Sequence, residues 1–183
     1  MEKYQKNTKM FRLHESPSDK QYPFKIKRKK WILEWCNKQG GLGIEFGCGH
    51  SRVSDDILAT DKIPRDFVTN KVEGFISEAD MIVDAESLPF ETDTFNFIIA
   101  SHLIEHFAYP EAIMEWWIAT LKKGGILILI TPDAELWEHS PDHAKEFTKY
   151  ELKELLDIPG VEILELDNAE WEKTEIKCVV KKK

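Results

Sequence analysis

The chain has 183 residues, the length of one domain, and can bury a core without disulfide or metal staples. Its 42% apolar and 32% charged residues are those of a globular protein, and its longest apolar run, residues 126–130, is too short to span a bilayer. The net charge of −8 hides an asymmetry: residues 1–30 hold ten Lys/Arg against three Asp/Glu, while the rest holds 15 against 30. A basic arm on an acidic body can hold an anionic substrate or be a solvated tail, and the solvated reading is the simpler one.

Residues 1–24 read as irregular, broken by Ser16-Pro17 and Pro23. Residues 1–25 are therefore set apart as a basic arm that can cover a site, and 26–183 as the main domain. From Ile26 to Lys38, Trp31, Ile32, Trp35 and Cys36 fall at helical spacing with lysines opposite, ended by Gly40-Gly41. Residues 42–46 form a short buried strand that runs into Gly47-Cys48-Gly49. Ser51 is placed to cap a short helix reaching Leu58. Ala59 to Asp61 is a second strand, residues 62–78 are ambiguous, and Met81 to Asp84 is a third strand.

Phe95 to Ala100 is a fourth strand, with an exit loop and helical turn over His102 to Phe107. Glu111 to Leu121 is a helix with Ile113, Trp116, Trp117 and Leu121 on its core side, closed by Gly124-Gly125 before a fifth strand at 126–130. Thr148 with Glu151 makes a capping box for a helix to about Leu156. Val161 to Leu166 and Glu175 to Val180 are two last strands able to pair antiparallel. Cys36, Cys48 and Cys178 show no zinc or redox spacing and are expected to be reduced and buried. The basic N-terminus has no apolar stretch behind it, so no secretory signal and a cytoplasmic location are expected.

Alternating strands and helices imply a mostly parallel sheet covered on both faces. Ligands bind such sheets at the carboxyl ends of strands, near the switch point. At the first such end lies Glu45-Phe46-Gly47-Cys48-Gly49, where two glycines admit a ligand close to the backbone and a following helix start would offer N–H groups. A dinucleotide fingerprint wants a third glycine where this chain has Arg52. Asp61 at the second end can accept both hydroxyls of a ribose, and Asp84 at the third can accept from the exocyclic amine of a base. A glycine turn and two acids at successive strand ends form a nucleoside-shaped constellation.

These motifs resemble those of class I S-adenosylmethionine-dependent methyltransferases, in the small-molecule branch. The resemblance rests on Glu45-x-Gly47-x-Gly49, on Asp61, and on residues 83–90 followed by Asp93-x-Phe95-x-Phe97. Leu103-Ile104-Glu105-His106, Leu121-Lys122-Lys123-Gly124-Gly125 and the stretch from Ser140 to Thr148 are similar to further family motifs, so that the match covers roughly 40–180. The resemblance implies a Rossmann-like three-layer α/β sandwich, its seven strands in the order 3-2-1-4-5-7-6 with the seventh antiparallel, and S-adenosylmethionine as cofactor. It implies that Gly47 and Gly49, with Cys48, line the methionine portion and that Glu45 shapes the turn. Asp61, with Lys62 beside it, would take the ribose; Asp84, with Ala85 and Glu86, the adenine; and Ser101 and His102 would sit near the sulfonium. The chain departs from the family in a short gap from Gly49 to Asp61, in the lack of a second helix over 62–78, and in Asn96 where aspartate is frequent.

A base is needed only for an acceptor that carries a proton, and His102, His106 and His143 are the candidates. Residues 102–106 also read H-x-x-E-H, a zinc-peptidase pattern that requires a continuous helix; without one no metal site is expected. A nucleic-acid methyltransferase is a second alternative on the strength of the basic arm, opposed by the acidic body. A cofactor-binding protein without catalysis is a third. The expected partner is a small-molecule acceptor such as a sugar, lipid or other metabolite, with no nucleic acid and no membrane, and with the oligomeric state open. The N-terminal 40 residues and the loop from Pro132 to Phe147 are the expected cover, carrying Tyr4, Phe11, His14, Tyr22, Phe24, Trp137, His139 and His143.

Overall fold

The computed structural model describes residues 10–70, 74–137 and 139–183. Nine strands are described: β1 Gly43–Phe46, β2 Leu58–Asp61, β3 Val68–Asn70, β4 Phe75–Ile76, β5 Met81–Ile82, β6 Phe95–Ser101, β7 Leu121–Pro132, β8 Val161–Asn168 and β9 Glu175–Lys182. The helices are α1 Pro17–Gln21, α2 Phe24–Gln39, α3 Pro110–Thr120 and α4 Lys149–Leu155, with a 3-10 turn at Ile104–His106. No helix among the described residues is long and apolar enough to cross a membrane.

Seven strands pair in the order β5-β2-β1-β6-β7-β9-β8, and β3 and β4 pair separately as a hairpin. With that hairpin set aside, the order is the one the motifs imply. β9 runs antiparallel to both β7 and β8, and the other pairings in the sheet are parallel.

Alternation along β6 and β7 divides the core into two layers. Ile98, Ala100, Leu127 and Leu129 face α3 and α4, packing with Trp117, Phe147 and Leu152. Phe97, Ile99, Ile126, Ile128 and Ile130 face α2, packing with Ile32, Leu33 and Cys36. β1 approaches β6 so closely that a Cβ on Gly43 would collide with the Phe97 ring, which accounts for glycine at that strand position. Asn96 Oδ1 accepts from the Leu42 backbone N–H at 3.0 Å and holds the start of β1. The Thr148–Glu151 capping box forms as expected. All three cysteines are buried and free.

Several expectations are corrected. No helix follows Gly49: the short stretch from Ser51 to Ile57 is irregular, and the Ser51 hydroxyl donates to Asp19 Oδ1 at 3.0 Å. Residues 62–78 contain the β3–β4 hairpin. The fifth strand begins at Leu121, so Gly124 and Gly125 lie inside β7, where its register with β6 shifts, rather than ending a helix. Trp116 is 51% exposed, while Trp117 is fully buried with its indole N–H donating to the Ala85 carbonyl. Arg28 and Lys29, read as part of a solvated face of α2, are buried. Residues 10–22 are not a free tail: Phe11 packs edge-on against Phe97, and the His14 N–H donates to the Val53 carbonyl.

The two adjacent tryptophans give a direct check on the core. Trp117→Ala is expected to lower unfolding free energy by about 3–5 kcal/mol, and Trp116→Ala by about 0.5 kcal/mol or less, in urea titrations followed by circular dichroism.

Candidate functional site

The turn after β1 brings the site together. Gly47 has φ +61, and a Cβ there would press into the Leu103 side chain at 2.8 Å. Gly49 has φ +51, and a Cβ there would meet nothing within 4 Å, so its free face is open. Both conformations favour glycine. Asp61 holds the turn from β2: its Oδ2 accepts from Gly49 N–H and its Oδ1 from Ile63 N–H, both at 2.8 Å. Arg52 fixes the rest of the loop, with forked bonds to Asp80 at 2.7 and 3.1 Å and a bond to the Ile57 carbonyl at 3.0 Å.

A cavity of about 540 Å³ opens at the carboxyl ends of β1 and β6, within the range of small-molecule sites. Its floor carries Glu45, Gly47, Cys48, Gly49, Ser101 and His102. Its walls come from the segment ahead of and inside α2, including Tyr22, Phe24, Arg28 and Lys29, and from Trp137 and Glu175.

Three buried carboxylates set the electrostatics. Glu45 is 3% exposed and accepts from Val53 N–H at 2.9 Å. Burial pushes its carboxyl up to about 7, against the bond from Val53 and the charges of Lys29 and Arg52. Glu175 accepts from Arg28 at 2.9 Å, His102 Nε2 at 2.8 Å and Trp171 at 2.6 Å. Its burial would raise the carboxyl, but the His102 bond, the Arg28 charge and the Trp171 bond outweigh this and hold it low. Asp19 pairs with Lys29 at 2.6 Å, both side chains 2% exposed. Lys29 also donates to the His14 carbonyl and the Ser16 hydroxyl. The Ser16 hydroxyl in turn donates to Glu78 Oε2 at 2.6 Å, which also accepts from Arg52 N–H. This network docks residues 14–19 beside the glycine turn.

His102 sits at the exit of β6 with φ +53, a conformation that costs a non-glycine residue free energy and recurs at functional positions. Its backbone N–H donates to the Ile130 carbonyl at 2.8 Å, and its ring is fixed by Glu175.

The structure therefore brings together Glu45, Gly47, Cys48, Gly49, Ser101 and His102. It does not bring the other expected residues to the cavity wall. Asp61 is 8% exposed behind the turn, and Lys62, Asp84 and Glu86 are exposed. Asp84 Oδ1 accepts from Glu86 N–H, and Ala85 is buried. His106 and His143 lie beside the 3-10 turn, their rings 5.2 Å apart, outside the cavity. Residues 102–106 form no continuous helix, so the His102–His106 pairing of a zinc peptidase is not built. Of the expected cover, Tyr22, Phe24 and Trp137 line the cavity, His139 lines a separate groove, and Tyr4 falls outside the described residues. The sequence reading missed Arg28, Lys29 and Glu175. Only Glu175 left a signal, as an acid at the head of an apolar strand.

The methyltransferase-domain family model matches residues 20–166. No curated protein sequence matches the chain significantly. Solved structures share the fold at low identity. The PH0226 protein of Pyrococcus horikoshii is 17% identical with a TM-score of 0.65, over 88% of this chain and 91% of that one. An S-adenosylmethionine-dependent methyltransferase of Aquifex aeolicus is 14% identical with a TM-score of 0.61, over 85% and 89%. The [4+2]-cyclase SpnF is 16% identical with a TM-score of 0.63, over 85% and 80%.

The raised Glu45 carboxyl makes stability depend on pH. The folded chain keeps its proton where the unfolded chain has lost it, so this residue's contribution falls as pH rises from about 4.5 to about 7. Glu45→Gln, which keeps an acceptor for Val53, is expected to be more stable than the parent by about 1–3 kcal/mol at pH 8 and equal to it near pH 4.5, in denaturant titrations at the two pH values.

Proposed function

Because the chain belongs to the methyltransferase-domain family, whose class I members take S-adenosylmethionine as methyl donor, we propose that it methylates a small-molecule acceptor held in the cavity above β1 and β6. The observation that carries this reading is the convergence of Glu45, Gly47, Gly49, Ser101 and His102 on one open cleft.

The residues present fit the methionine half of that cofactor. The open face of Gly49 admits a chain against the backbone, and the buried acid Glu45 suits a cationic group. The aromatic rings of Tyr22, Phe24 and Trp137 suit a sulfonium in the same space. When bound, the cofactor supplies an electrophilic methyl group. The protein's task is then alignment and exclusion of water. Tyr22, Phe24 and the first turns of α2 roof the site, and the Lys29–Asp19 pair ties them to residues 14–19 behind. Among the three candidate histidines, His102 lines the cavity, and Glu175 fixes its ring for contact with the acceptor. Asp61 supports the ribose side from behind the glycine turn, and Asp84 with Glu86 forms an open adenine side. The described part of the 1–25 arm, residues 10–25, thus acts as a cover of the domain formed by 26–183.

A small-molecule acceptor is favoured over nucleic acid by the fate of the basic residues near the N-terminus. Arg28 and Lys29 are buried and paired with Glu175 and Asp19, so their charge is spent inside the protein rather than presented to phosphates.

Calorimetry with S-adenosylmethionine is expected to show one-to-one binding, weakened at least about ten-fold in Gly49→Val, which fills the open face of the turn. Failure to bind overturns the cofactor assignment. With methyl-labelled donor and a cell extract, label is expected in the small-molecule fraction, and label confined to RNA or protein overturns the acceptor class.

A further inference from the structure

Beside the cavity, but outside it, three side chains converge: Glu105, His106 and His143 each offer one ligand atom, all within 4.8 Å of one another. Glu105 and His106 belong to the 3-10 turn after β6, and His143 to the loop between β7 and α4. The two segments are locked together, because the Glu105 carbonyl accepts from both Ala144 N–H at 2.9 Å and Lys145 N–H at 3.0 Å.

Two atoms of this cluster are buried without a hydrogen-bond partner: Glu105 Oε1 and His143 Nδ1. Glu105 is fully buried, and His102 Nδ1 stands 3.6 Å from its Oε1. His143 Nδ1 has Glu146 Oε1 at 3.4 Å but makes no hydrogen bond with it. Buried polar atoms left this way cost free energy, and a natural fold keeps few of them.

The surrounding bonds orient the cluster as they orient metal ligands. His106 Nδ1 lies 2.9 Å from the Asp142 carbonyl, which can only accept. Nδ1 therefore carries the proton, and the Nε2 lone pair is directed elsewhere. The other Glu105 oxygen, Oε2, accepts from the Thr131 hydroxyl at 3.3 Å, which leaves Oε1 as the free donor atom. Two imidazoles and one carboxylate form a set that suits a divalent first-row transition ion.

We propose that Glu105, His106 and His143 bind a divalent transition-metal ion of the zinc class. Three protein ligands leave a fourth position open, and His106 is exposed, so solvent reaches the ion. Side-chain rotations that bring the three atoms to about 3.4 Å from one another give ordinary metal–ligand bond lengths. The site stands one side chain from the cavity, because Glu105 neighbours the cavity-lining His102. It does not rest on the cofactor assignment, since metal uptake and S-adenosylmethionine binding are measured separately.

The test titrates Co²⁺ into chelator-treated full-length protein, followed by visible absorption and equilibrium dialysis, and then displaces it with Zn²⁺. One ion per chain is expected, with visible bands that Zn²⁺ abolishes. His106→Ala and His143→Ala should each weaken binding at least about ten-fold while circular dichroism stays unchanged. His139→Ala, a neighbouring histidine outside the cluster, should leave binding intact. Absence of a retained ion, equal binding in the His106→Ala chain, or loss of binding in His139→Ala alone overturns the proposal.

Discussion

The site depends on one carboxylate removed from water. Glu175 begins β9 and is nearly fully buried, yet it remains charged because Arg28, His102 and Trp171 all donate to it. These partners come from α2, from the exit of β6 and from the loop before β9. A buried charge tolerates no missing partner, so this one side chain fixes the mutual position of three elements. It holds the helix that roofs the cavity against the strand that floors it, and it sets the His102 ring in one orientation. The unfavourable backbone of His102 is maintained by the same bond and by its N–H to Ile130.

A second constraint follows from the short connection between β1 and β2. Too few residues separate Gly49 from Asp61 for a full helix, and the loop is instead nailed down by side chains. Arg52 occupies the position where a dinucleotide fingerprint has its third glycine, and spends its guanidinium on Asp80 and backbone carbonyls. Residues 14–19 brace the loop after the glycine turn instead, through Ser16, Asp19 and the Ser51 hydroxyl. The loop is thereby fixed beside the cavity, while Asp84 and Glu86 remain exposed away from it.

Local chemistry was legible in the sequence where it acts over a few residues. The apolar run of β6, the capping box at Thr148 and the glycine turn were each readable, and they identified the fold and the turn that floors the cavity. What escaped depends on partners far along the chain. Ser51 looks like a cap until Asp19 is seen to take its hydroxyl. Lys29 looks like one more solvated lysine on a basic helix until Asp19 buries it. Trp116 and Trp117 are neighbours in a helix, and only the position of the sheet decides that one is core and the other surface. Asp61 was located correctly at a strand end, but its oxygens are turned onto the backbone of the glycine loop.

The bond between Arg28 and Glu175 joins positions 147 residues apart, and the rest of the cavity wall, Tyr22, Phe24 and Lys25 excepted, lies between them in the sequence. During synthesis the roof helix leaves the ribosome first and its counter-charge comes after the rest of the sheet. Non-local closures of this kind are made late in folding, because the loop entropy is spent before the contact returns anything. A nascent or truncated chain stopped short of β9 therefore has no partial site in which His102 is held.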